Sequence, residues 1–105
     1  MDLTKEKCKP CEGGTPPMSK IEIAKYRKLI RPDWKVRGNK IKKEYSFADY
    51  RHTMEFVNKV ANLAEEEGHH PVMHVYYSKV KIELWTHAVN GLSANDFILA
   101  SKIDK

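Results

Sequence analysis

The segment from Phe47 to Glu67 constrains the fold most, because no other part of the chain has so long a helical pattern. Its apolar side chains recur at intervals of mostly three or four residues: Tyr50, Met54, Val57, Val60, Ala61 and Ala64. That interval is typical of one side of an α-helix. Ser46 is a suitable N-cap, with Asp49 three residues later, and Gly68 is well placed to end the helix. The sequence therefore predicts a helix over residues 47–67.

Shorter patterns on either side of this helix predict two pairs of strands. Residues 34–37 and 40–45 are separated by the turn dipeptide Gly38-Asn39, which favours a hairpin. Residues 72–77 are rich in β-branched and aromatic side chains, and residues 79–86 alternate. One face of this last strand carries Val80, Ile82, Leu84 and Thr86. The other face carries Lys81, Glu83, Trp85 and His87.

A shorter helix is predicted towards each end of the chain. Ser19 and Glu22 form a capping box for the first, and Pro32 ends it by about residue 30. Its partial apolar stripe is Ile21, Tyr26, Leu29 and Ile30. Ser93 caps the second helix, with Asp96 at its third position. The apolar residues of this helix are Phe97, Ile98, Leu99 and Ile103.

The order of these elements predicts the fold class. Prolines and glycines at positions 10, 13, 14, 16 and 17 disfavour regular structure, so residues 1–18 are expected to be a flexible N-terminal arm. Residues 19–105 are expected to form a single domain. Their order α-β-β-α-β-β-α favours the α+β class, with a four-stranded antiparallel sheet and helices packed on one face.

Charge and hydropathy restrict the kind of protein. The chain is 41% hydrophobic and 31% charged, which suits a soluble globular protein. It lacks the run of about 18 apolar residues that spans a bilayer, and its first residues lack a secretory apolar run, so we expect the cytoplasm. The net charge of +5 favours anionic partners in general. Because the basic residues are scattered and dense only over 37–43, we do not expect nucleic-acid binding. The hypothesis of a nucleic-acid binder predicts an affinity that falls steeply as the salt concentration rises.

Cys8 and Cys11 are the only cysteines. One such pair supplies half of a tetrahedral zinc site, and the chain has no second pair. A redox motif would need a strand-to-helix context, which this segment lacks. We interpret the two thiols as part of the N-terminal arm, with no assigned role.

The histidines are the best candidates for chemistry. His69 and His70 follow the long helix, and Pro71 extends the chain into the next strand. His87 lies at the end of the alternating strand, and Asp96 in the first turn of the last helix. Because histidine titrates near neutral pH, two such side chains around a substrate can act as general acid and base. A carboxylate such as Asp96 can hold one imidazole in the required tautomer.

Each of these residues also has a simpler interpretation. His69-His70-Pro71 can be a turn, Asp96 can serve only the helix dipole, and His87 can be an exposed strand residue. A metal site built from the histidines and Asp96 is less favoured, because adjacent histidines point apart and the common short zinc spacings are absent.

The combined pattern resembles the pterin-4a-carbinolamine dehydratase family. The matching signature is Glu65, His69-His70-Pro71, Tyr77, His87 and Asp96, each at the family's spacing. The neighbouring residues Lys79-Val80, Thr86-His87, Gly91-Leu92-Ser93 and Asp96-Phe97 are similar as well. The resemblance is strong over residues 46–103. One departure is Met73, which stands where animal members have tryptophan.

The resemblance implies an activity and roles for the matching residues. Members remove water from 4a-hydroxytetrahydropterin, giving a quinonoid dihydropterin, and need no metal or organic cofactor. By position His69 and His87 match the acid/base histidines, and His70 matches one that orients the pterin. Asp96 matches a histidine-supporting aspartate, and Glu65 and Tyr77 match supporting positions. Pro71, Thr86, Ala88 and Val89 match residues that line the pterin pocket.

The resemblance also implies partners. The carbinolamine comes from aromatic amino-acid hydroxylases, so a functional link to such a hydroxylase is expected. Members commonly form homodimers or homotetramers, and an exposed edge strand would favour that association. The alternative is a non-catalytic binding or regulatory module that keeps the same fold, as in members that serve as dimerisation cofactors.

Overall fold

Four strands form one antiparallel sheet in the spatial order β1-β2-β4-β3. The computed structural model describes residues 1–11 and 13–105. Its elements are α1 (Lys20–Arg27), β1 (Lys35–Arg37), β2 (Lys40–Ser46), α2 (Tyr50–Glu67), β3 (Val72–Val75), β4 (Lys79–Leu84) and α3 (Ala94–Ile103). This order confirms the predicted α+β class and the four-stranded antiparallel sheet. Each strand pair is joined by a short turn, and α2 connects the two pairs.

The central strands β2 and β4 divide the sheet into a buried and an exposed face. Ile41 lies opposite Leu84, and both side chains are fully buried. Lys42 lies opposite Glu83 on the other face. The buried face packs against apolar side chains of the helices, including Val60 of α2 and those of α3. Because successive side chains of a strand alternate, one apolar face is enough to hold the helices on one side.

The start of α2 differs from the prediction. Pairing between β2 and β4 continues to Ser46, which lies opposite Lys79, so Ser46 belongs to the strand and cannot cap the helix. Asp49 is the N-cap, and its Oδ1 accepts the backbone N–H of His52 at 2.9 Å. Tyr50 is half exposed, whereas Thr53 is fully buried. Gly68 ends the helix as predicted, in the left-handed region with φ of 65°.

The start of α1 agrees with the prediction, and so does its apolar stripe except at one residue. The capping box is present, with Ser19 Oγ accepting from Glu22 N and Glu22 Oε1 accepting from Ser19 N. Ile21, however, is 82% exposed. Residues two apart on a helix point to nearly opposite sides, so Ile23 packs on the core in place of Ile21. Tyr26, Leu29 and Ile30 pack there as predicted. The helix also ends at Arg27, earlier than expected.

A buried polar cluster fixes the end of α3 to β2. Trp34 is fully buried, and its indole N–H donates to Asp104 Oδ2 at 2.7 Å. Asp104 Oδ1 accepts from the Tyr45 hydroxyl at 2.6 Å and from Lys43 Nζ at 2.9 Å. Burial and the neighbouring Asp104 carboxylate raise the pKa of Tyr45. Every donor in this cluster has a partner, which makes its burial tolerable.

The described part of the N-terminal segment packs against α2 and α3. A short 3-10 helix covers Leu3–Lys5, and both Leu3 and Cys8 are buried. The backbone N–H of Cys8 donates to Glu67 Oε1 at 2.9 Å, and that of Lys9 donates to Asn95 Oδ1, also at 2.9 Å. The composition of the N-terminal segment did not predict this burial, because the apolar residues of the segment are isolated from one another. The proposed domain boundary at residue 19 stays a prediction.

We expect Glu67→Gln to destabilise the protein through this N-terminal contact. The Glu67 side chain is 6% exposed and lies 2.7 Å from Lys102 Nζ. Burial opposes ionisation, but the Cys8 N–H and the Lys102 ammonium outweigh it and hold the pKa of Glu67 below its ordinary 4.5. Losing the charge should lower the free energy of unfolding at pH 7 by about 1–3 kcal/mol, measured by urea denaturation.

The pH dependence follows from the direction of that shift. A lowered pKa stabilises the fold above the ordinary value of 4.5 and ceases to do so as pH falls through the folded-state pKa. The difference between wild type and Glu67→Gln should therefore shrink in acid. Glu66→Gln, on an exposed neighbouring side chain, is the control. A constant difference from pH 7 to acid would contradict this account.

Candidate active site

The buried carboxylate of Asp96 joins three separate parts of the chain. Asp96 Oδ1 lies 2.6 Å from His69 Nε2, and Asp96 Oδ2 accepts from the Thr86 hydroxyl at 2.9 Å. The same Oδ2 accepts the backbone N–H of Ser93 at 3.0 Å. Asp96 is fully buried, so these donors replace the water that an ionised carboxylate would otherwise bind. One side chain therefore both caps α3 and contacts an imidazole.

Local structure brings His69 to this carboxylate. Gly68 turns the chain out of α2, and the backbone N–H of His69 still donates to Ala64 O at 3.2 Å. The His69 side chain is only 11% exposed. The other two partners of Asp96, Thr86 and Ser93, both donate to Oδ2, so Oδ1 remains as an acceptor. We therefore assign the ring N–H of His69 to Nε2, which faces Oδ1. In the neutral ring Nδ1 is then the nitrogen that can accept a proton.

His70 points away from its neighbour and out to solvent. Its Nε2 lies 2.6 Å from Glu65 Oε2, and the two side chains are 61% and 77% exposed. An exposed pair of this kind contributes little to stability. Glu65 is therefore associated with His70 and not with His69. Pro71 follows, half-buried, and leads directly into β3.

The alternation predicted that His87 lies at the end of a strand, and this prediction is wrong. β4 ends at Leu84, and His87–Val89 forms a 3-10 helix inside a loop closed by the bridge between Thr86 and Gly91. The paired backbone of Thr86 and Gly91 forces this reversal, which Asn90 completes with a φ of 53°. His87 and Ala88 are exposed, whereas Val89 is buried.

The imidazole of His87 rests against an aromatic side chain. Its ring centroid lies 5.1 Å from that of Trp85, and Lys40 Nζ lies 4.3 Å from the Trp85 ring. Among residues 1–11 and 13–105, His87 forms no side-chain hydrogen bond with His69 or His70. The connection runs through Thr86, which precedes His87 in the chain and bonds to the carboxylate that holds His69.

Tyr77 lies far from the histidines within one chain. Its ring stacks on Tyr50, with centroids 6.1 Å apart, and its carbonyl accepts from the Thr53 hydroxyl at 2.9 Å. Both partners belong to the first turn of α2, whereas Glu65 belongs to its last turn, about 22 Å away at 1.5 Å per residue. Within one chain β3 therefore carries Tyr77 to the opposite end of α2 from Glu65, and the supporting role of Tyr77 stays a prediction.

Sequence reasoning missed the contacts of Ser93, Trp85 and Lys40. Ser93 Oγ lies 2.8 Å from the Thr86 hydroxyl, which is thus engaged inward and does not line an open pocket. Trp85 and His87 are two residues apart in the alternating segment, and that spacing is a signal of their proximity. Lys40 could not be inferred, because its place beside Trp85 depends on the register of β2 against β4.

No group of three His, Cys, Asp or Glu side chains among the described residues is arranged to hold a metal ion. Cys8 Sγ and Cys11 Sγ both lie 3.5 Å from Asn95, the first from its carbonyl and the second from its amide nitrogen. Burial, and secondly the Glu67 carboxylate, raises the pKa of Cys8 to about 12. This thiol therefore packs as an apolar group. No helix within residues 1–11 and 13–105 is long and apolar enough to cross a membrane.

The arrangement contains two imidazoles, the kind of side chain that can both donate and accept a proton. One imidazole is largely buried and held by a buried carboxylate, and a second is exposed beside a tryptophan. Groups that are already fixed in orientation lose little conformational entropy when a substrate binds.

Comparison with known proteins identifies the family of the chain. The profile of the family described as Pterin 4 alpha carbinolamine dehydratase matches residues 16–105. A protein of Nitrosomonas europaea is 48% identical over 103 residues, which are 98% of this chain and 91% of the relative. One of Alkaliphilus metalliredigens is 42% identical over 105 residues, covering 99% and 95%. Both relatives are provisionally named pterin-4-alpha-carbinolamine dehydratases.

Two solved structures share the fold. A transcriptional coactivator/pterin dehydratase from Brucella melitensis has a TM-score of 0.78 and 27% identity, over 84% of this chain and 95% of its own. A pterin dehydratase-like protein identified as a RuBisCO assembly factor in the alpha-carboxysome has a TM-score of 0.60 and 25% identity, over 69% and 86%. With the family profile covering most of the chain and near-full-length relatives above 40% identity, the chain belongs to the pterin-4a-carbinolamine dehydratase family.

Proposed function

We propose that this chain removes water from pterin-4a-carbinolamine by histidine acid/base catalysis. The observation that carries the proposal is the 2.6 Å contact between His69 and the fully buried Asp96. Family membership supports the reaction class, and the same carboxylate binds Thr86, the residue before His87. The proposal needs no metal or organic cofactor.

The reaction requires two proton transfers. The C4a–O bond breaks as the 4a-hydroxyl receives a proton and leaves as water. The proton on N5 is removed, and its electron pair forms the N5=C4a double bond of the quinonoid product. We assign these transfers to His69 and His87. Asp96 keeps the hydrogen of His69 on Nε2, so that Nδ1 is free to exchange a proton with the substrate.

The remaining site residues bind the pterin. The exposed imidazole of His70, held by Glu65, is assigned to orienting the ring. Pro71, Ala88 and Val89, with the backbone of Thr86, are assigned to its edges. In the cell this activity would recycle the tetrahydropterin used by an aromatic amino-acid hydroxylase, and a neighbouring gene for such a hydroxylase would support that role.

A second candidate function is a binding module without turnover. The observation that favours it is the fold similarity to the pterin dehydratase-like RuBisCO assembly factor. Turnover of chemically generated carbinolamine distinguishes the two, because a module that only binds leaves the uncatalysed rate unchanged.

The first prediction concerns the two acid/base histidines. His69→Ala and His87→Ala should each lower kcat for carbinolamine dehydration by about 10²-fold or more, because each removes one proton-transfer group. Stopped-flow absorbance of the quinonoid product measures the rate. His52→Ala is the control, because His52 is exposed and pairs with Asp49 at the other end of α2. Full activity in both site variants would refute the mechanism.

The second prediction concerns the support of His69. Asp96→Asn should lower kcat by about 10–100-fold, because an amide can present its own N–H to the ring and favour the other tautomer. Nitrogen-15 chemical shifts should place the His69 hydrogen on Nε2 in the wild type and shift it toward Nδ1 in the variant. If the tautomer and kcat are both unchanged, Asp96 acts only as a helix cap.

The third prediction concerns assembly. We propose that edge strand β3 pairs with a second copy, giving a homodimer or homotetramer. Val72 and Val75 of this strand are 38% and 42% exposed, unusual for valines at a sheet edge left in water. Val75→Lys should halve the mass measured by light scattering, from two chains to one or from four to two. Lys59→Glu on the exposed side of α2 is the control, and an unchanged mass in Val75→Lys would contradict pairing through β3.

A further inference from the structure

The sheet face that the helices leave uncovered carries most of the excess positive charge of the chain. Strand register gathers six cations and two carboxylates there: Lys35, Arg37, Lys40, Lys42, Lys79 and Lys81, with Glu44 and Glu83. We name this surface the basic face. The whole chain has a net charge of +5. Six of the 19 lysines and arginines, which are separated along the sequence, therefore lie together on one side of the sheet.

Two cross-strand pairs on the basic face place like charges opposite each other. Lys35 lies opposite Lys42, and Arg37 lies opposite Lys40, in the register of β1 and β2. Like charges directly opposite in an antiparallel pair destabilise the sheet. An anion bound across the pair would relieve this repulsion.

The carboxylates of the basic face leave several cations uncompensated. Glu83 is contacted by His74, by Lys40 at 3.3 Å and by Lys42 at 3.7 Å. Glu44 lies 3.8 Å from Lys79 Nζ. Among the described residues no carboxylate pairs with the remaining three cations, which are Lys35, Arg37 and Lys81. Lys35 Nζ and an Arg37 guanidinium nitrogen instead donate to the backbone carbonyls of Pro32 and Val36.

The basic face is concave and has an aromatic side chain on its rim. A depression of about 580 Å³ is lined by five cations and three carboxylates, so its lining has an excess of positive charge; the cations are Lys35, Arg37, Lys42, Lys43 and Lys81, the carboxylates are Asp33, Glu44 and Glu83, and Tyr76 lies beside them. Tyr76 is 48% exposed, and Lys81 Nζ lies 5.7 Å from its ring centroid. A cationic groove with an exposed ring is the combination that binds single-stranded nucleic acid, with phosphates on the cations and a base stacked on the ring.

We propose that the basic face binds single-stranded nucleic acid. Phosphates occupy the positions beside Lys35, Arg37 and Lys81, and a base stacks on Tyr76. A second copy of the chain does not fit this surface, because two basic faces repel each other. The sequence did not predict nucleic-acid binding, because its basic residues are scattered. The register of β1, β2 and β4 is what brings six of them onto one face. The proposal involves neither His69 nor Asp96, so it stands independently of the dehydratase activity.

The test is fluorescence anisotropy with a labelled oligothymidylate of about 12 nucleotides. Binding should weaken linearly on a logarithmic salt scale, with a slope of about −2 to −3 for three or four neutralised phosphates. The double variant Lys35→Glu/Arg37→Glu should raise Kd at least about tenfold, and Tyr76→Ala by about tenfold. The matched control is Lys20→Glu/Lys25→Glu, which makes the same charge change on exposed residues of α1.

Three outcomes would overturn the proposal. They are the absence of binding at low salt, an equal loss of affinity in the control variant, and tighter binding of polyglutamate than of the oligonucleotide. Dehydration of the carbinolamine is measured on the same variants and should be unaffected by Lys35→Glu/Arg37→Glu. Failure of nucleic-acid binding and failure of the dehydratase assignment are therefore separate results.

Discussion

The hydrogen bonds of Asp96 are the interaction on which the rest of the candidate site depends. One buried carboxylate holds the start of α3, the Thr86 hydroxyl and the His69 imidazole. Removing any one donor would leave a buried negative charge with less compensation, which is far less favourable than losing a surface contact. The cap of α3 and the position of the His69 imidazole are thus coupled, so a change that loosens the cap also loosens His69.

The pairing of β2 with β4 is the second constraint. It sets which side chains enter the core, and by the same alternation it sets what the opposite face displays. Ile41 and Leu84 point into the core, and the adjacent residues Lys42 and Glu83 point to the opposite face, because successive side chains of a strand alternate. The register also places Lys40 beside Trp85, on which His87 rests. The packed face supports the helices, and the open face collects charge that no helix covers.

Much of the fold could be predicted from local patterns, and the errors have identifiable physical causes. The period of apolar residues located α2 and the alternation located β4. Ser46 was assigned to the wrong element because a cap signal in the sequence does not reveal how far a strand continues to pair. Ile21 was assigned to the core because one exposed isoleucine cannot be distinguished by type from a buried one. His87 was assigned to a strand because the bridge between Thr86 and Gly91, a non-local contact, decides where β4 stops.

The sequence by itself determined the fold class, the order of the elements and the family, because periodicity, caps and motif spacing are properties of neighbouring residues. It also identified His69, His70, His87 and Asp96 as the residues to consider. Only the tertiary structure decided that Asp96 contacts His69 and not His70, that Tyr77 lies at the far end of α2, and that scattered lysines share one face. Those results depend on the direction of side chains from elements that meet only when the chain folds, and no local pattern contains that information.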